Sequence, residues 1–201
     1  NITTYARSRS KSKSRNQIIR EISPLLVEGC PYRIYRLDIR NFFESCDHGY
    51  VIETLKKNKI PFHTENLISS LLNHLKSKGI SGLPRGIEVS PILSDLYLYD
   101  FDETFPSMKH VFYYSRFVDD IIIMTSKEES PDEFIKTIKS SLPQGLILNY
   151  NKSKIIDVGK RGVIEKNVLV SSFLGYEITV KDTDLSLIDP KKIKSLKLLR
   201  G

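Results

Sequence analysis

The 201 residues of this chain suffice for one large domain or two small ones, which excludes a peptide or a disordered tail. The 31 Lys and Arg against 24 Asp and Glu give a net charge of +7, which favours a polyanionic partner, with nucleic acid as the first candidate. No apolar run approaches the roughly 20 residues that span a bilayer, and no signal-peptide pattern is present. We therefore expect a cytoplasmic protein with no membrane partner. Cys30 and Cys46 match neither a zinc site nor a disulfide framework.

The chain opens on a basic, serine-rich segment, Arg7 to Arg15, in which base and serine alternate. Such a segment is either a flexible tail or an extended ribbon that grips phosphate, and both readings stay open. An apolar stripe then predicts a helix, interrupted at Pro24, and residues Arg33 to Asp38 read as a strand. Two further helices are predicted, from Asp47 to Asn58 and from Glu65 to Lys76.

The middle of the chain combines a rigid loop, a helix and a hairpin. The loop Gly82-Leu-Pro-Arg-Gly86 precedes a helix that Ser90 is expected to cap, with Pro91 in its first turn, and that runs to about Phe105. The segment from Val111 to Thr125 is expected to form a tight β-hairpin, because strand-forming residues flank a short polar tip.

The remainder alternates short strands with helical segments. Ser130 to Glu133 reads as a capping box that opens a helix. Strands are predicted at Leu146 to Leu148, Ser153 to Val158, Val168 to Val180 and Leu185 to Ile188, and Asp189-Pro190 reads as a new helix start. Strands and helices mix without a regular βαβ rhythm, so we predict an α+β fold with a mainly antiparallel sheet backed by helices.

Three carboxylates stand where predicted strands end, Asp38 after the first strand and Asp119 and Asp120 at the tip of the hairpin. An isolated Asp-Asp turn is most often a solvated turn, so each piece alone has a structural explanation. Together they suggest a metal site, because hard divalent cations take carboxylate oxygens as ligands.

Taken in order, five motifs resemble the palm of a reverse transcriptase across nearly the whole chain. They are Asp38-Ile-Arg-Asn-Phe-Phe43 continued to His48, Gly82-Leu-Pro-Arg-Gly86 with Ser90-Pro91, Phe117-Val-Asp-Asp120, Leu148-Asn149 with Lys152-Ser153, and Phe173-Leu-Gly-Tyr176. Several short motifs in the right order are far more specific than any one of them. The resemblance implies a polymerase palm with partial fingers and RNA-directed DNA synthesis.

The resemblance also implies catalytic roles for Asp38, Asp119, Asp120 and Lys152. It implies a metal site at Asp38, Ile39, Asp119 and Asp120 for two Mg²⁺ ions, with Mn²⁺ as a substitute, because two ions can stabilise the attacking and leaving oxygens of phosphoryl transfer. Asp38 and Asp119 are expected to bridge the ions, and Asp120 to support them. Lys152 is the counterpart of a lysine that protonates the departing pyrophosphate; a solvated lysine in a basic loop is the alternative.

Nucleotide binding is implied for Phe43, Arg40, Asn41, Phe42, Lys13, Arg15 and Gly86. Phe43 is expected to pack against the sugar of the incoming nucleotide and to leave no room for a 2′ hydroxyl, which favours deoxynucleoside triphosphates. Phe42 and Phe43 can alternatively both be core residues, but only one of two neighbours points inward on a regular strand. Backbone N–H groups from Ile39 to Phe43 are expected to hold the triphosphate.

Contacts to an RNA or DNA template and its primer are implied for Pro84, Arg85, Ser90, Phe173, Leu174, Gly175 and Tyr176. Arg85 replaces the usual glutamine of the second motif, and Phe117-Val118 stands where tyrosine and alanine are more usual. These variants are similar to bacterial reverse transcriptases of retrons and phage-defence systems, which implies a role in antiviral defence.

We expect one reverse transcriptase-like domain over residues 1–201, with partial fingers at about 1–37 and 50–80, palm at 38–49 and 81–188, and the start of a thumb at 189–201. The alternative functions are a non-catalytic nucleic-acid-binding or assembly module, a metal-dependent nuclease and an RNA polymerase. The clustered acids disfavour the first, because negative charge repels phosphate. Phe43 and the loop from Gly82 to Gly86 disfavour the second, and Phe43 disfavours the third.

Overall fold

The computed structural model describes residues 13–26, 30–159, 168–174, 176–180 and 199–200. Its helices are α1 (Arg15–Leu25), α2 (Phe42–Ser45), α3 (His48–Lys57), α4 (Phe62–Ser77), α5 (Val89–Tyr97), α6 (Tyr99–Thr104) and α7 (Pro131–Ser141), with a 3₁₀ turn at Phe105–Ser107. Its strands are β1 (Tyr32–Asp38), β2 (Val111–Phe117), β3 (Asp120–Thr125), β4 (Lys154–Val158), β5 (Val168–Phe173), β6 (Tyr176–Val180) and β7 (Leu199–Arg200).

The first sheet is antiparallel, with strand order β2-β3-β1-β4. β1 lies in its centre and pairs with β3 on one side and with β4 on the other. A second antiparallel sheet has the order β5-β6-β7. The predicted α+β class with a mainly antiparallel sheet is confirmed.

Apolar side chains of the first sheet are buried in two separate cores. Tyr35, Leu37 and Ile121 face the larger core, to which the helices α2 to α7 contribute. Ile34 and Ile122 face the smaller core, which α1 covers. Functional side chains of this sheet are therefore expected at strand ends, where backbone and side chains leave the two cores.

The helix after the Gly82 to Gly86 loop differs from the sequence prediction. It begins at Val89 with Glu88 as the N-cap residue and ends at Tyr97 rather than continuing to Phe105. Ser90 is not the cap: it is buried, and its hydroxyl donates to the carbonyl of Pro84 at 2.7 Å. A serine hydroxyl can bond nearby backbone groups from several positions, so the local sequence does not distinguish these uses.

Two other predictions are partly corrected. Leu146 to Leu148 form no strand, and the only pairing described there is an isolated bridge between Leu148 and Ile39. Ser130 occupies the N-cap position of α7, but its side chain makes no capping hydrogen bond. Asp47 is the N-cap residue of α3, and its carboxylate accepts the N–H of Tyr50 at 2.8 Å.

Several expectations fall outside the described residues, namely the basic segment before Lys13, the strand from Leu185 to Ile188 and the helix start at Asp189-Pro190. Residues 32–37, expected in the fingers, form the central strand of the first sheet. In the part of the chain that the structure describes, we find no helix that is long and apolar enough to cross a membrane.

Candidate active site

The hairpin of β2 and β3 closes in a two-residue turn, since Phe117 pairs with Asp120 and only Val118 and Asp119 lie between them. Val118 has a φ of +58° and is the only one of the two turn residues with a positive φ. This pattern is typical of a type II′ turn, whose first position is usually glycine. A β-branched residue in this conformation is strained. The predicted tight hairpin that presents the paired aspartates is confirmed.

Asp38 ends β1 directly opposite Asp120, because the two residues are partners in the register of β1 and β3. The N–H of Ile39 donates to the carbonyl of Asp119 at 3.1 Å, which extends this pairing into the turn. Residues directly opposite each other in antiparallel strands have Cβ atoms about 4.5–5.5 Å apart. Acids that are remote in the sequence therefore meet at one end of the sheet.

Burial raises the pKa of both Asp119 and Asp120 above the usual carboxyl range. Negative neighbours add to this effect: Asp38 raises the pKa of Asp119, and Asp119 and Asp38 raise that of Asp120. Positive groups oppose the shift, Lys152 at both acids and Arg36 at Asp120. The ionised acids are therefore unfavourable in the fold by themselves, and a cation beside them would be stabilising.

Among the described residues, no group of three or more His, Cys, Asp or Glu side chains already has the arrangement of a metal site. The donor chemistry fits a hard divalent cation, because Asp38, Asp119 and Asp120 offer carboxylate oxygens at one strand end. Besides burial, the charges of neighbouring acids raise the pKa of Asp119 and Asp120. This repulsion disfavours a close approach of the three carboxylates when no cation is bound. The residues present thus fit a divalent metal in charge and donor type.

A loop after the bridge residue Leu148 contacts Asp38 from the side opposite the hairpin. The N–H of Asn149 donates to the Asp38 carbonyl at 2.7 Å, and the Asp38 N–H donates to Oγ of Ser153 at 3.3 Å. Lys152 Nζ lies 3.3 Å from Oδ2 of Asp38. The structure therefore places the Lys152 ammonium beside Asp38, while the lysine side chain stays 62% exposed.

Arg85, which replaces the usual glutamine of the second motif, lies over the ring of Phe43. Its guanidinium carbon is 5.6 Å from the ring centroid. Its Nε and Nη2 donate to the two carboxylate oxygens of Glu44 at 2.7 and 3.2 Å, and this pairing lowers the pKa of Glu44. The positive charge of Arg85 also opposes the rise in the pKa of Asp119. The second motif therefore meets the first one beside the acids.

The loop that carries Arg85 packs directly on the backbone of the first motif. The N–H of Leu83 donates to the Phe43 carbonyl at 2.7 Å, and the Gly82 carbonyl lies 2.6 Å from Nε2 of His48. Gly82 has a φ of +78°, and a Cβ there would lie 2.5 Å from the Phe43 carbonyl oxygen and 2.6 Å from Cα of Glu44. The approach of the two backbones therefore requires glycine at this position.

Phe42 and Phe43 lie in the short helix α2 rather than on a strand. Phe42 is 1% exposed and its side chain packs in the larger core, while the predicted triphosphate contact through its backbone N–H stays a prediction. Phe43 is half-buried and keeps one side toward Arg85. Gly86, also predicted at the nucleotide, has a φ of +83° and open space around its Cα.

The backbone N–H groups of the first motif are only partly free to bind a triphosphate. Those of Ile39 and Arg40 donate to the carbonyls of Asp119 and Ile147 at 3.1 and 2.9 Å. Arg40 and Asn41 are exposed here. The N–H groups that begin α2 have no intrahelical partner by their position. The predicted triphosphate contact of residues Ile39 to Phe43 stays a prediction.

Lys13 and Arg15 contact side chains of the fold rather than lying on an extended ribbon. Lys13 is buried, pairs with Glu21 at 2.6 Å and lies over the ring of Tyr113. The charge of Lys13 therefore has a half-buried partner within the fold, and its predicted phosphate contact stays a prediction. Arg15 is exposed in the first turn of α1, with its guanidinium 4.9 Å from the ring centroid of Phe117.

The residues expected at the primer belong to the hairpin of β5 and β6, in which Phe173 pairs with Tyr176. Leu174 is 5% exposed and packs in the smaller core, so packing accounts for its side chain. Gly175 lies outside the described residues.

Two charged residues that the motifs do not include are buried behind the hairpin of β2 and β3. Nε and Nη2 of Arg116 donate to the two carboxylate oxygens of Asp102 at 2.8 and 2.6 Å. Burial alone would lower the pKa of Arg116, but the hydrogen bonds and charge of Asp102 raise it overall. The sequence contains a signal for this pair, because an arginine inside an apolar strand requires a buried partner.

The family model of reverse transcriptase (RNA-dependent DNA polymerase) matches residues 28–178, a range that contains all the motifs described above. No curated protein matches the chain by sequence. Several solved telomerases have a similar fold. Telomerase from Candida tropicalis in complex with the TWJ fragment of telomeric RNA is 14% identical, with a TM-score of 0.58 over 90% of this chain and 36% of that chain.

The apo telomerase from Candida tropicalis truncated from its C-terminal domain is 17% identical, with a TM-score of 0.56 over 85% of this chain and 40% of that chain. Telomerase from Candida albicans, also in complex with the TWJ fragment, is 14% identical, with a TM-score of 0.53 over 84% and 33%. At these identities the likeness shows the fold, and this chain spans between 33% and 40% of the length of the three telomerases. The match of the family model and the palm-and-fingers fold agree, and the chain belongs to the reverse transcriptase family.

Proposed function

We propose that this chain carries the catalytic palm of an RNA-directed DNA polymerase that adds deoxynucleotides to a 3′ hydroxyl. The observation that carries the proposal is the register of β1 and β3, which sets Asp38 opposite Asp120 and next to the turn residue Asp119. Membership of the family supports the class of reaction. The proposed partners are an RNA or DNA template, a primer and deoxynucleoside triphosphates, which the net charge of +7 favours.

In this proposal Asp38 and Asp119 hold divalent metal ions, Mg²⁺ or in its place Mn²⁺, and Asp120 supports them. Such ions, when bound, stabilise the attacking and leaving oxygens of phosphoryl transfer. The fold fixes Asp38 between β3 and the loop of residues 149–153. Lys152 provides a proton for the departing pyrophosphate, and its position 3.3 Å from Asp38 supports this role.

The net charge of +7 also fits a second candidate, a nucleic-acid-binding module that keeps the fold without catalysis. The two candidates differ in what the acids do, because a binding surface gains nothing from clustered negative charge near phosphate. Removing a carboxylate should therefore abolish polymerisation but leave or improve simple nucleic-acid binding.

Deoxynucleotide incorporation by the full-length protein, on RNA and DNA templates with Mg²⁺ or Mn²⁺, tests the proposal. Asp119→Ala is expected to lower incorporation by roughly 10³-fold or more, the scale on which essential groups act. Asp157→Ala is the matched control, since Asp157 lies in the same sheet but pairs with Arg33 at the other end of β1. Incorporation that Asp119→Ala leaves undiminished would contradict catalysis and favour the second candidate.

Phe43→Ala is expected to weaken discrimination against ribonucleotides by about tenfold or more, because the space next to Arg85 then admits a 2′ hydroxyl. The measurement is the ratio of kcat/KM for a deoxynucleoside triphosphate to that for its ribonucleotide. Phe42→Leu is the control, since Phe42 lies in the core and its truncation should lower stability without changing this ratio. A ratio that Phe43→Ala leaves unchanged would remove Phe43 from the sugar site.

The sequence variants at Arg85 and Phe117-Val118 support a bacterial retron or phage-defence enzyme that acts in the cytoplasm. We assign the palm to the first sheet and its helices, including residues 32–37, and partial fingers to residues 50–80. Residues 189–201 are proposed to start a thumb.

A further inference from the structure

We propose that Arg116 is a positioning residue that holds the turn presenting Asp119; this inference rests on the proposed function for the role of Asp119. The turn needs support, because Val118 adopts a φ of +58° at a position where glycine is preferred. β-Branched side chains avoid this conformation, so the surrounding structure must fix it.

The support comes from the guanidinium of Arg116, two residues before the strained position. Nη1 of Arg116 donates to the carbonyl of Val118 at 2.9 Å. That carbonyl belongs to the peptide plane whose N–H is that of Asp119, so this hydrogen bond sets the orientation of the plane from which Asp119 extends. Through the turn, Arg116 therefore acts on the direction of a carboxylate that it does not touch.

Arg116 is itself fixed from the helical side of the sheet. Its side chain is only 2% exposed, and its Nε and Nη2 form a bidentate pair with Asp102 of α6. Asp95 of α5 lies 3.2 Å from Nη2, and the hydroxyl of Tyr114 donates to Asp102. The planar guanidinium has N–H donors on several sides, so one arginine side chain can bond both the Asp102 carboxylate and the Val118 carbonyl. Lysine offers no such geometry.

A buried ion pair with no role beyond stability would behave differently from a device that positions the turn. Breaking any buried pair destabilises the fold. Only a positioning role makes the effect depend on the strain at Val118. Glycine in Val118→Gly adopts the same positive φ without strain, so it should make the hydrogen bond from Arg116 to this turn largely unnecessary.

The test compares the wild-type full-length protein, Arg116→Lys, Val118→Gly and the double variant, with Mn²⁺ as the probe. The readouts are the dissociation constant of Mn²⁺, followed by electron paramagnetic resonance, and the metal-free melting temperature. Arg116→Lys is expected to weaken Mn²⁺ binding by roughly tenfold, as loss of a supporting contact does in metal sites. Adding Val118→Gly should restore most of that affinity and part of the melting temperature.

Arg33→Lys is the matched control, because Arg33 is also buried and pairs with Glu129 and Asp157, but far from the turn. It should lower stability, leave Mn²⁺ affinity unchanged and show no coupling to Val118→Gly. If Arg116→Lys does not fold, Tyr114→Phe gives the same comparison, with a smaller effect through Asp102. The inference would be overturned if the effects of Arg116→Lys and Val118→Gly on Mn²⁺ affinity simply added in the double variant. It would also be overturned if Arg116→Lys folded and bound Mn²⁺ as tightly as the wild type. A wild-type protein that binds Mn²⁺ but incorporates no nucleotide would instead refute the proposed function. The inference about Arg116 would survive that result, because its coupling to Val118 is measured by Mn²⁺ affinity and not by incorporation.

Discussion

Gly82→Ala is expected to lower the melting temperature at least about twice as far as the control variant Gly79→Ala. We also expect Gly82→Ala to raise the KM for the nucleotide, and Gly79→Ala to leave this KM unchanged. The two glycines have nearly the same backbone conformation, with φ of +78° and +75°. Both substitutions therefore carry a left-handed conformational cost of about 1–2 kcal/mol. What differs is the space around the new methyl group.

At Gly82 the added Cβ meets the Phe43 carbonyl oxygen at 2.5 Å and the Cα and carbonyl oxygen of Glu44 at 2.6 Å, whereas nothing lies within 4 Å at Gly79. These are backbone atoms, so no rotamer change relieves the overlap and the loop must move away from α2. That movement separates Arg85 from Phe43 and breaks the bond from Leu83 to Phe43. Equal melting temperatures for the two variants, measured by calorimetry, would show that this contact does not hold the motifs together.

Asp119→Asn should make the metal-free protein more stable while abolishing incorporation, with a melting temperature about 2 °C higher or more near neutral pH. Burial, followed by the charge of Asp38, raises the folded-state pKa of Asp119. Such a carboxyl contributes its full stability below its ordinary pKa and loses it as the pH rises through the raised value. The wild type therefore carries the whole cost at neutral pH, and asparagine removes it.

The raised pKa of Asp119 also predicts how the melting temperature depends on pH and on added metal. The difference in melting temperature between Asp119→Asn and the wild type should shrink as the pH falls toward about 4, where the free carboxyl is protonated. Added Mg²⁺ should stabilise the wild type by mass action and have a smaller effect on the variant. A metal-free variant that is less stable than the wild type at pH 7 would show that Asp119 is not electrostatically strained.

The sequence located the acids well, because strand-forming residues around Asp38 and around the Asp119-Asp120 pair limit where these carboxylates can lie. Their convergence could be expected only through the family resemblance, since β1 and β3 pair over more than eighty residues of sequence. The helix that follows Asp47 was predictable for the opposite reason, because the spacing of its apolar residues is a local pattern.

Contacts between side chains distant along the chain were not readable. Nothing in the pattern around Arg116 names Asp102 as its partner, and the positive φ of Val118 contradicts the preference of valine, so no propensity predicts it. Lys13 illustrates the same limit: an alternating basic segment predicts a phosphate contact, while its pairing with Glu21 depends on the packing of α1.

The loop of residues 149–153 touches Asp38 at its carbonyl, its N–H and its carboxylate, through Asn149, Ser153 and Lys152. Opening this edge of the site would therefore displace Asp38, the metal-binding acid of the proposed function. Glu44 pairs with Arg85 at the protein surface, where both side chains are exposed. In the proposed function, exchange of that pairing for the phosphates of a nucleotide would leave the sheet undisturbed.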